Sequence, residues 1–428
     1  MFVNSSKIDE MSGVGSVARE LRSAADSTED MTASVAAIID AVRARGDAAL
    51  VEMTEQFDGV RFEAGGLEVS RREVDKALTS LEAPARDAME KAAGRIKAFA
   101  EKSLAQDWSY QPEPGVTVGQ VRRPLERVGV YIPGGRFPYP STVLMTGIPA
   151  RVAGVDEIVF CVPPGADGSV NPVTLAAAGL VGGYRVFKVG GAQAIAAMAY
   201  GTETVPRCLM IAGPGNRYVA AAKRIVSESV TVDLEAGPSE VVIYADDSAP
   251  PEYVAADLLA QLEHDPLALA VLVSSSADII GEVRRSLEAV EGAEGSVTLV
   301  LCATAEQCVE LANALAPEHL ELMVDDAARL LPSIRSAGCV FIGSASAVAL
   351  GDYVAGPSHV LPTGGTASRL SGLRAEDFTH VMNVISYTSD GLESDAGAAV
   401  TLASLEGLAG HARSVEVRRN GPDQQAEV

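Results

Sequence analysis

The sequence predicts an α/β protein in which two doubly wound lobes are built on parallel sheets and flanked by helical segments. From Val128 onward, short β-rich runs alternate with alanine-rich runs of helical spacing, and this alternation continues in a second block from about residue 230. Strands that alternate with helices of about ten or more residues are typical of βαβ units and therefore of parallel sheets. A chain of 428 residues is also long enough for two or three domains.

The first hundred residues are predicted to be mostly helical. Residues 1–22 are interpreted as an arm, whereas residues 29–57 and 71–105 carry apolar side chains at helical spacing with few helix breakers. No cluster in this section indicates chemistry.

The alternating part of the chain supplies the predicted sheets. In the first block, strands are predicted at 128–132, 157–163, 185–189 and 208–212, and helices at 141–153, 172–181, 192–200 and 216–226. In the second block, strands are predicted near 230–234, 240–245, 269–274, 297–302 and 339–342, and helices near 251–263, 276–289, 305–315 and 325–336. After about residue 378 the pattern becomes helical again. Doubly wound lobes bind their ligands at the carboxyl ends of the strands, so we expect the ligand there.

Composition narrows the possible partners. The formal net charge of −23 argues against nucleic acid and against an anionic membrane surface. No apolar run approaches the roughly 18 residues of a membrane helix, and the N-terminal residues lack the pattern of a signal peptide. The five cysteines form no C-x-x-C pair and are typical of buried free thiols in a reducing cytosol. We therefore expect a cytoplasmic protein that binds neither nucleic acid nor membrane.

Three glycine-containing turns lie between a predicted strand and a predicted helix, at residues 131–135, 190–193 and 213–216. Each turn can present backbone N–H groups and a helix N-terminus to a phosphate group. None of them matches the usual dinucleotide fingerprint. Taken singly, each is equally compatible with a tight turn that binds nothing.

The acid–histidine pair Glu318-His319 falls between a predicted helix and a strand, in a chain that has only five histidines. Adjacent acid and base groups can divide proton-transfer duties between them. Oxidation of an alcohol needs such a base, because the hydroxyl proton must leave along with the hydride. A lone Glu-His pair is weak evidence, and it gains meaning only beside a nucleotide-binding lobe.

Other side chains are of metal-ligand type. Gln261 and His264 are three residues apart at the end of a predicted helix, Asp352 lies on a Gly/Pro-rich loop, and Glu406 and His411 lie on a late helical stretch. A zinc site needs three or four N, O or S ligands, which these positions together could supply. Each pair taken alone is more typical of a solvated helix end or a surface loop.

Taken together, these motifs resemble the histidinol dehydrogenase family. The resemblance runs in order over roughly residues 30–415. The matching segments are VGVYIPGG (128–135), YPSTVLM (139–145), VGGAQAIAAMAYGTE (189–203), AGPGNRYVAAAKR (212–224), AGPSE (236–240), DLLAQLEHD (257–265), APEHLEL (316–322), GDYVAGPSHVLPT (351–363) and EGLAGHA (406–412).

The resemblance implies two successive NAD-dependent oxidations of L-histidinol to L-histidine through a bound aldehyde. It implies that His319 is the general base for the alcohol proton and that Glu318 activates the water that attacks the aldehyde. It further implies one Zn²⁺ per active site, which orients the substrate. The implied zinc ligands are Gln261, His264, Asp352 and His411. The implied substrate contacts are Ser239, Gln261, His264, His319, Asp352, Glu406 and His411, and the implied NAD contacts are Tyr131, Gln193 and Asn216.

The resemblance also implies the domain organisation and the quaternary structure. The fold would consist of two incomplete Rossmann-like lobes, with an NAD lobe at 129–238 inserted into a main lobe formed by 23–128 and 239–378. Residues 379–428 would form a C-terminal helical segment that is swapped in a homodimer. Glu406 and His411 would then serve the partner's active site, so that the sites are shared.

Two other interpretations stay open. The run 364–369 differs from the family pattern, and Arg136-Phe137 is reminiscent of relatives that oxidise sulfonated diols. The second interpretation is therefore a paralogous zinc- and NAD-dependent dehydrogenase acting on another small polar alcohol. The third is a non-catalytic binding protein that keeps the fold, which is disfavoured because every matched acid–base and ligand position is intact.

Overall fold

Two parallel sheets and one small antiparallel sheet organise the chain. The computed structural model describes residues 2–8, 13–25, 31–63, 65–134, 137–234, 237–263, 267–290 and 294–419. Strands within these residues are β1 (Phe2–Lys7), β2 (Trp108–Glu113), β3 (Val116–Pro124), β4 (Arg127–Tyr131), β5 (Glu157–Cys161), β6 (Arg185–Phe187), β7 (Met210–Ala212), β8 (Thr231–Val232), β9 (Glu240–Ala245), β10 (Leu269–Ser274), β11 (Ser296–Leu301), β12 (His319–Met323), β13 (Cys339–Ile342) and β14 (Thr379–Tyr387).

α-Helices alternate with these strands along much of the chain. The α-helices of the described residues are α1 (Val14–Ala25), α2 (Thr32–Arg45), α3 (Asp47–Asp58), α4 (Arg71–Thr79), α5 (Ala83–Ser103), α6 (Pro140–Ala153), α7 (Pro172–Val181), α8 (Gly191–Tyr200), α9 (Arg217–Val226), α10 (Pro251–Leu262), α11 (Ala277–Glu288), α12 (Ala305–Leu315), α13 (Val348–Tyr353), α14 (Ser389–Leu405) and α15 (Ala409–Arg419). Short 3₁₀ turns occupy Ala327–Ser333, Thr366–Ser368 and Ala375–Phe378. In the part of the chain that the structure describes, no helix is both long and apolar enough to span a membrane.

Both parallel sheets are doubly wound. The five-stranded sheet has the order β6-β5-β4-β7-β8, and the six-stranded sheet has the order β1-β11-β10-β9-β12-β13. In each sheet the chain runs from a central strand, β4 or β9, outward to one side and then returns to the other side of that strand, while β1 is added at the outer edge of the six-stranded sheet. This winding leaves a switch point between β4 and β7 in one sheet and between β9 and β12 in the other. The predicted α/β fold class is confirmed.

The central strands form because they are apolar on both faces. Strand β9 reads EVVIYA and β10 reads LAVLVS, and every residue of both is buried. Such continuous runs suit parallel strands that are covered by helices on both sides. In the six-stranded sheet, α10, α11 and α13 cover one face and α1 and α12 cover the other. In the five-stranded sheet, α5, α6 and α7 lie on one face and α2, α3, α8 and α9 on the other.

The connection between the two sheets is short. Strand β8 ends at Val232 and β9 begins at Glu240, so only residues 233–239 join them. A chain that leaves the carboxyl end of one strand and soon enters the amino end of the next brings those two edges together. The carboxyl edge of the five-stranded sheet therefore lies beside the amino edge of the six-stranded sheet.

The element boundaries agree closely with those predicted for the alternating blocks, including α7, α12, β9, β10 and β13. The N-terminal residues, interpreted as an arm, contribute β1, which pairs in parallel with β11 at the edge of the six-stranded sheet. The segment 325–336, predicted as a helix, contains only a 3₁₀ turn. Strands β2, β3 and β14 were not predicted.

These three strands belong to a separate compact unit. One unit of the chain comprises residues 1–103 and 125–378, and the second comprises residues 104–124 and 379–428. In the second unit, β3 pairs antiparallel with both β2 and β14, and α14 packs against α15. The C-terminal segment is thus helical from Ser389 onward but opens with a strand. The proposed domain boundaries at 128/129 and 238/239 stay a prediction.

A buried ion pair fixes the turn that follows β7. Lys223 on α9 donates from Nζ to the Gly213 carbonyl oxygen and to Asp233 Oδ1, both at 2.5 Å. Asp233 Oδ2 accepts from the Gly213 N–H at 2.7 Å, and the side chains of Lys223 and Asp233 are each 1% exposed. Gly213 itself has φ +109°, and a Cβ there would lie 2.1 Å from the Tyr131 carbonyl oxygen. The ion pair therefore binds both the N–H and the carbonyl oxygen of Gly213, a position at which only glycine fits.

Replacing Lys223 by methionine should destabilise the protein strongly. The substitution leaves the Asp233 carboxylate buried without its cation, and loss of one partner of a buried pair costs about 3–5 kcal/mol. Chemical denaturation measures this change in the free energy of unfolding. The matched control Lys102→Met, at an exposed position of α5, should change it by less than about 0.5 kcal/mol. Equal effects of the two substitutions would contradict the importance of the pair.

Candidate active site

Glu318 and His319 lie where α12 turns into β12. Helix α12 ends at Ala316, which has φ +44° and donates its N–H to Ala312. A non-glycine residue in this left-handed conformation costs free energy and must be held by its surroundings. Pro317 follows, and β12 begins at His319, so the chain changes from helix to strand within three residues. The side chains of Glu318 and His319 are both buried at this corner.

Hydrogen bonds fix the tautomer of His319. Its Nδ1 lies 3.1 Å from the carbonyl oxygen of Glu240. A carbonyl oxygen can only accept, so Nδ1 carries the proton in the neutral imidazole and Nε2 has the free lone pair. Nε2 lies 3.4 Å from Asp352 Oδ1. The arrangement leaves Nε2 as the nitrogen that can take up a proton.

Burial and charge shift the pKa values of both residues. Burial raises the pKa of Glu318 to about 7, although the neighbouring His319 and the Glu240 N–H oppose the rise. For His319, burial alone would lower the pKa, but the Glu318 and Asp352 carboxylates outweigh it and raise the pKa to about 9. Pairs of titratable groups with such perturbed pKa values are typical of catalytic sites.

Glu240, the first residue of β9, holds this corner in place. Its N–H donates to Glu318 Oε2 at 2.9 Å, and its Oε2 accepts from the Glu318 N–H at 3.3 Å. Its Oε1 accepts from the Gly364 N–H at 2.8 Å and is paired with Arg22 of α1. Arg22 also donates to the carbonyl oxygen of Leu315 at the end of α12. No role for Glu240 or Arg22 was predicted from the sequence, although the AGPSE segment contains Glu240.

Asp352 approaches His319 because a glycine precedes it. The His319 ring lies against Phe341 of β13, with ring centroids 5.9 Å apart. A Cβ on Gly351 would lie 2.6 Å from the Phe341 ring, so α13 could not approach the sheet with a larger residue there. His359 Nδ1 is 2.9 Å from the Asp352 carbonyl oxygen, and its Nε2 is 3.2 Å from Thr142 Oγ1. His359 thus links the loop after α13 to α6, which carries Thr142.

A small cavity joins this corner to the other sheet. Its residues come from the turns after β7 and β8, from the residues before β9 and β12, and from the loop after α13. They are Gly213, Pro214, Asp233, Leu234, Gly237, Ser239, Glu318, His359, Val360, Leu361 and Thr363. Ser239 and Glu318 thus face the same space as the glycine turn Gly213-Pro214.

In the six-stranded sheet, the predicted site residues do not lie at the carboxyl ends of the strands, where the winding of the sheet predicts a ligand. Ser239 precedes β9 and Glu318 precedes β12, so these predicted site residues lie at the amino edge. The short connection 233–239 is the reason, because it brings that edge to the carboxyl edge of the five-stranded sheet. For the five-stranded sheet, the glycine turns do follow the carboxyl ends.

The three predicted NAD contacts lie at those turns. Tyr131 ends β4, is buried, and accepts from the Gly191 N–H at 3.2 Å through its hydroxyl group. Gln193 is buried in the first turn of α8. The Asn216 side chain caps α9 by accepting from the N–H groups of Tyr218 and Val219. The structure thus brings backbone N–H groups and two helix N-termini to one sheet edge, beside the β4/β7 switch point.

The predicted metal ligands are only partly described. Gln261 is buried near the end of α10, which packs against α13 carrying Asp352. His264 lies outside the described residues, and the exposed Glu406 and His411 belong to the second unit. Among the described residues, no group of three or more His, Cys, Asp or Glu side chains could hold a metal ion.

One observation nevertheless fits a ligand at Gln261. Its Nε2 is buried and has no hydrogen-bond partner, and an orphaned buried amide is costly unless something occupies its site. Because the two ends of a glutamine amide are interchangeable by rotation, the same position can present Oε1 to a cation. An amide oxygen, the Asp352 carboxylate and histidine nitrogens form an N/O donor set that suits zinc.

Comparison with known proteins identifies the family. The histidinol dehydrogenase family model matches residues 21–419. Histidinol dehydrogenase from Syntrophotalea carbinolica is 47% identical over 401 residues, covering 91% of this chain and 93% of that protein. Its counterpart from Methanothermobacter thermautotrophicus is 46% identical over 401 residues, covering 91% and 94%.

A solved structure agrees with these sequence matches. The crystal structure of histidinol dehydrogenase from Elizabethkingia anophelis superposes with a TM-score of 0.90 and 33% sequence identity, covering 97% of both chains. These relatives all bear the same name, so the alternative of a paralogue acting on a sulfonated diol is not supported. The chain belongs to the histidinol dehydrogenase family.

Proposed function

We propose that the chain oxidises L-histidinol to L-histidinal and then to L-histidine, the last steps of histidine biosynthesis. As a member of its family it is an NAD-dependent oxidoreductase. The observation that carries the residue assignments is the buried corner of Glu318 and His319. There, His319 Nδ1 is bound to the Glu240 carbonyl oxygen, which leaves Nε2 to act as the base. The Glu318 carboxyl group lines the cavity that reaches the glycine turn after β7.

In the first oxidation, His319 Nε2 accepts the hydroxyl proton of the alcohol while a hydride moves from the carbon that bears this hydroxyl group to NAD⁺. The products are the aldehyde, NADH and a protonated His319. The donation of Nδ1–H to the Glu240 carbonyl orients the ring, and the Asp352 and Glu318 carboxylates stabilise the imidazolium that forms. General base catalysis of this kind contributes about 10²–10⁴-fold to a rate.

In the second oxidation, Glu318 accepts a proton from water as the water oxygen attacks the aldehyde carbon. Protonated His319 returns its proton to the aldehyde oxygen, which completes the diol and restores the free base. The diol then loses a hydride to a second NAD⁺ and a proton to His319, which yields the carboxylic acid. Because burial raises the pKa of Glu318 to about 7, its carboxylate is a stronger base than an exposed glutamate. It is still ionised for about half of the time at neutral pH.

The NAD site is proposed to use Tyr131, Gln193 and Asn216. Their turns offer backbone N–H groups and helix N-termini to the pyrophosphate, which offsets the repulsion expected from an acidic protein. Tyr131 and Gln193 are buried, so they would contact the cofactor on the side that faces the protein interior. Ser239, which lines the cavity, is proposed to contact the substrate.

Zinc is proposed to bind at Gln261, His264, Asp352 and His411. The Gln261 Nε2 atom, which has no hydrogen-bond partner, and the packing of α10 against α13, which carries Asp352, support this ligand set. When bound, the ion would hold substrate nitrogen atoms and so orient the alcohol carbon. It would also neutralise part of the negative charge that raises the pKa of His319, which favours the free base.

A homodimer with shared active sites is proposed to complete each site, with Glu406 and His411 contacting the partner's substrate. The second unit carries many exposed apolar side chains, namely Trp108, Tyr110, Val381, Met382, Val384, Ile385, Tyr387, Leu402, Leu405 and Leu408. Apolar surface of this extent marks an interaction site rather than a solvated face. A cytoplasmic location is also proposed, because all five cysteines are free thiols.

Substitutions of the two catalytic residues should separate the two oxidations. His319→Ala should lower NADH formation from L-histidinol by about 10²–10⁴-fold, since it removes the base for the first step. Glu318→Gln keeps the acceptor for the Glu240 N–H and should spare conversion of histidinol to histidinal while slowing oxidation of added histidinal. Stopped-flow measurement of NADH with each substrate tests this split. Equal losses of activity on the alcohol and on the aldehyde in the Glu318 variant would contradict the division of roles. Oxidation of dihydroxypropanesulfonate instead of histidinol by the wild type would contradict the proposed substrate.

Glu318→Gln should also stabilise the protein at alkaline pH. The folded pKa of Glu318 (about 7) is above the ordinary value of 4.5, so the folded state binds the extra proton between these values. The free energy of unfolding of the wild type therefore falls as pH rises through that window. Glutamine does not titrate, so at pH 8 the variant should be more stable than the wild type by up to about 3 kcal/mol. Thermal unfolding of metal-free protein at pH 8 and pH 5 measures the difference. An advantage of equal size at both pH values would contradict the raised pKa.

Mixed dimers should reveal the shared site. A heterodimer of a His319→Ala subunit with a His411→Ala subunit should regain activity, because one site then has both histidines intact. Metal analysis should find zinc at one of its two sites, whereas the His411→Ala homodimer should bind none and the His319→Ala homodimer should bind zinc without turning over. Purified heterodimers that stay inactive would show that each subunit uses its own C-terminal segment.

A further inference from the structure

A second pair of acidic side chains lies beneath the proposed site. Glu321 follows His319 by two residues on β12, so both point to the same face of the sheet. This is the face covered by α10 and α13, where Met323 and Phe341 also pack. Glu321 is 1% exposed, and neither the proposed mechanism nor the proposed metal site uses it.

Glu321 contacts both helices that carry proposed metal ligands. Its Oε1 accepts from the N–H of Val348, the first residue of α13, at 3.1 Å. Asp352 lies four residues further along this short helix. The other oxygen, Oε2, is buried without a hydrogen-bond donor, and the carboxyl group of Asp257 on α10 lies close enough to it to share a proton. Asp257 lies four residues before Gln261, and therefore on the same face of α10.

The contact between the two carboxyl groups requires a proton. Two carboxylates cannot donate to one another, and if both were ionised Glu321 Oε2 would be buried without a partner. Burial and the negative charge of Asp257 raise the pKa of Glu321 to about 9, and burial raises the pKa of Asp257 as well. A single proton held between the two carboxyl groups would satisfy the orphaned Glu321 Oε2, and Glu321 would then both donate to Asp257 and accept from the Val348 N–H.

We propose that Glu321, together with Asp257, is a positioning pair that ties β12, α10 and α13 together and thereby sets His319, Gln261 and Asp352 relative to one another. The inference rests on the roles proposed above for those three residues. Each of the three elements presents one of them, and each is attached to the pair by one hydrogen bond or by the chain itself. A misplacement of about 1 Å between reacting groups can cost about 10²-fold in rate.

A purely structural role for the pair predicts different behaviour. Replacing a buried ionisable pair by well-packed apolar side chains is often neutral or even stabilising. A core contact without positioning function would therefore be replaceable at no cost in activity. A positioning pair would lose turnover and zinc affinity although the fold stays intact.

The test compares Glu321→Leu with Glu321→Gln in the full-length protein. Leucine removes the acceptor for the Val348 N–H and the link to Asp257, so kcat with L-histidinol should fall about 10²-fold, while KM for NAD stays unchanged because the NAD contacts lie on the other sheet. Zinc affinity, measured with zinc alone against a chromophoric chelator, should fall about 10–100-fold. Glutamine mimics the protonated acid, since its amide both accepts and donates, and should restore most of both quantities.

Two further variants serve as controls. Asp257→Leu breaks the same link from the other side, and the double variant Glu321→Leu/Asp257→Leu should lose little more than either single variant because the residues act as one unit. Glu157→Leu removes a partly buried carboxylate of the five-stranded sheet that is paired with Arg127 and Arg185. It should lower the melting temperature and leave kcat unchanged.

The outcomes separate this inference from the proposed function. Wild-type kcat and zinc affinity in Glu321→Leu would overturn the positioning role, and so would a Glu321→Gln variant as impaired as Glu321→Leu. If the wild type failed to oxidise histidinol, the proposed function would fall. The zinc affinities of the same variants would still decide the positioning role.

Discussion

The reciprocal hydrogen bonds between Glu240 and Glu318 are the interaction on which the rest of the site depends. Each residue donates its backbone N–H to the carboxylate of the other, and this joins the starts of β9 and β12 at the switch point of the six-stranded sheet. Because the Glu240 carbonyl oxygen also receives His319 Nδ1, the same peptide segment sets the direction of one catalytic candidate and the tautomer of the other. Arg22 neutralises Glu240 and binds the end of α12. Helix α1 is thus linked through Arg22 to the segment that leads into Glu318 and His319, almost three hundred residues along the chain.

Several acidic side chains are buried close together at this corner, and their proximity explains why their pKa values are shifted. Glu240, Glu318 and Glu321 are all buried, and the Asp352 carboxylate lies close to His319. Isolated buried carboxylates are costly, so each must be paired, hydrogen-bonded or protonated. Glu240 is paired with Arg22, burial and the neighbouring Asp257 raise the pKa of Glu321 to about 9, and burial raises the pKa of Glu318 to about 7. The buried Gln261 Nε2 atom has no hydrogen-bond partner, and the proposed cation would bind at this side chain.

The contact between the two sheets follows from a short connection. With only residues 233–239 between β8 and β9, the glycine turns at the carboxyl edge of one sheet lie beside the acid–base corner at the amino edge of the other. The glycine turn Gly213-Pro214 of one sheet and Glu318 of the other therefore line the same cavity. The Lys223–Asp233 pair stabilises this junction, because Asp233 begins the connection and also binds Gly213.

The sequence by itself determined the fold class, the bounds of most strands and helices in the alternating blocks, and the candidate residues. Apolar runs and helical spacing are local properties, and the matched motifs stand in the chain as written. Only the tertiary structure decided that Ser239, Glu318 and His319 lie at the amino edge of the six-stranded sheet, and that Glu240, Arg22 and Glu321 bind the segments around them. Strands β2, β3 and β14 also escaped prediction, since β3 and β14 are more than 250 residues apart and most of β14 is exposed. Each of these features depends on which distant segments meet, and burial, pairing and pKa shifts arise from those meetings, which local sequence patterns do not encode.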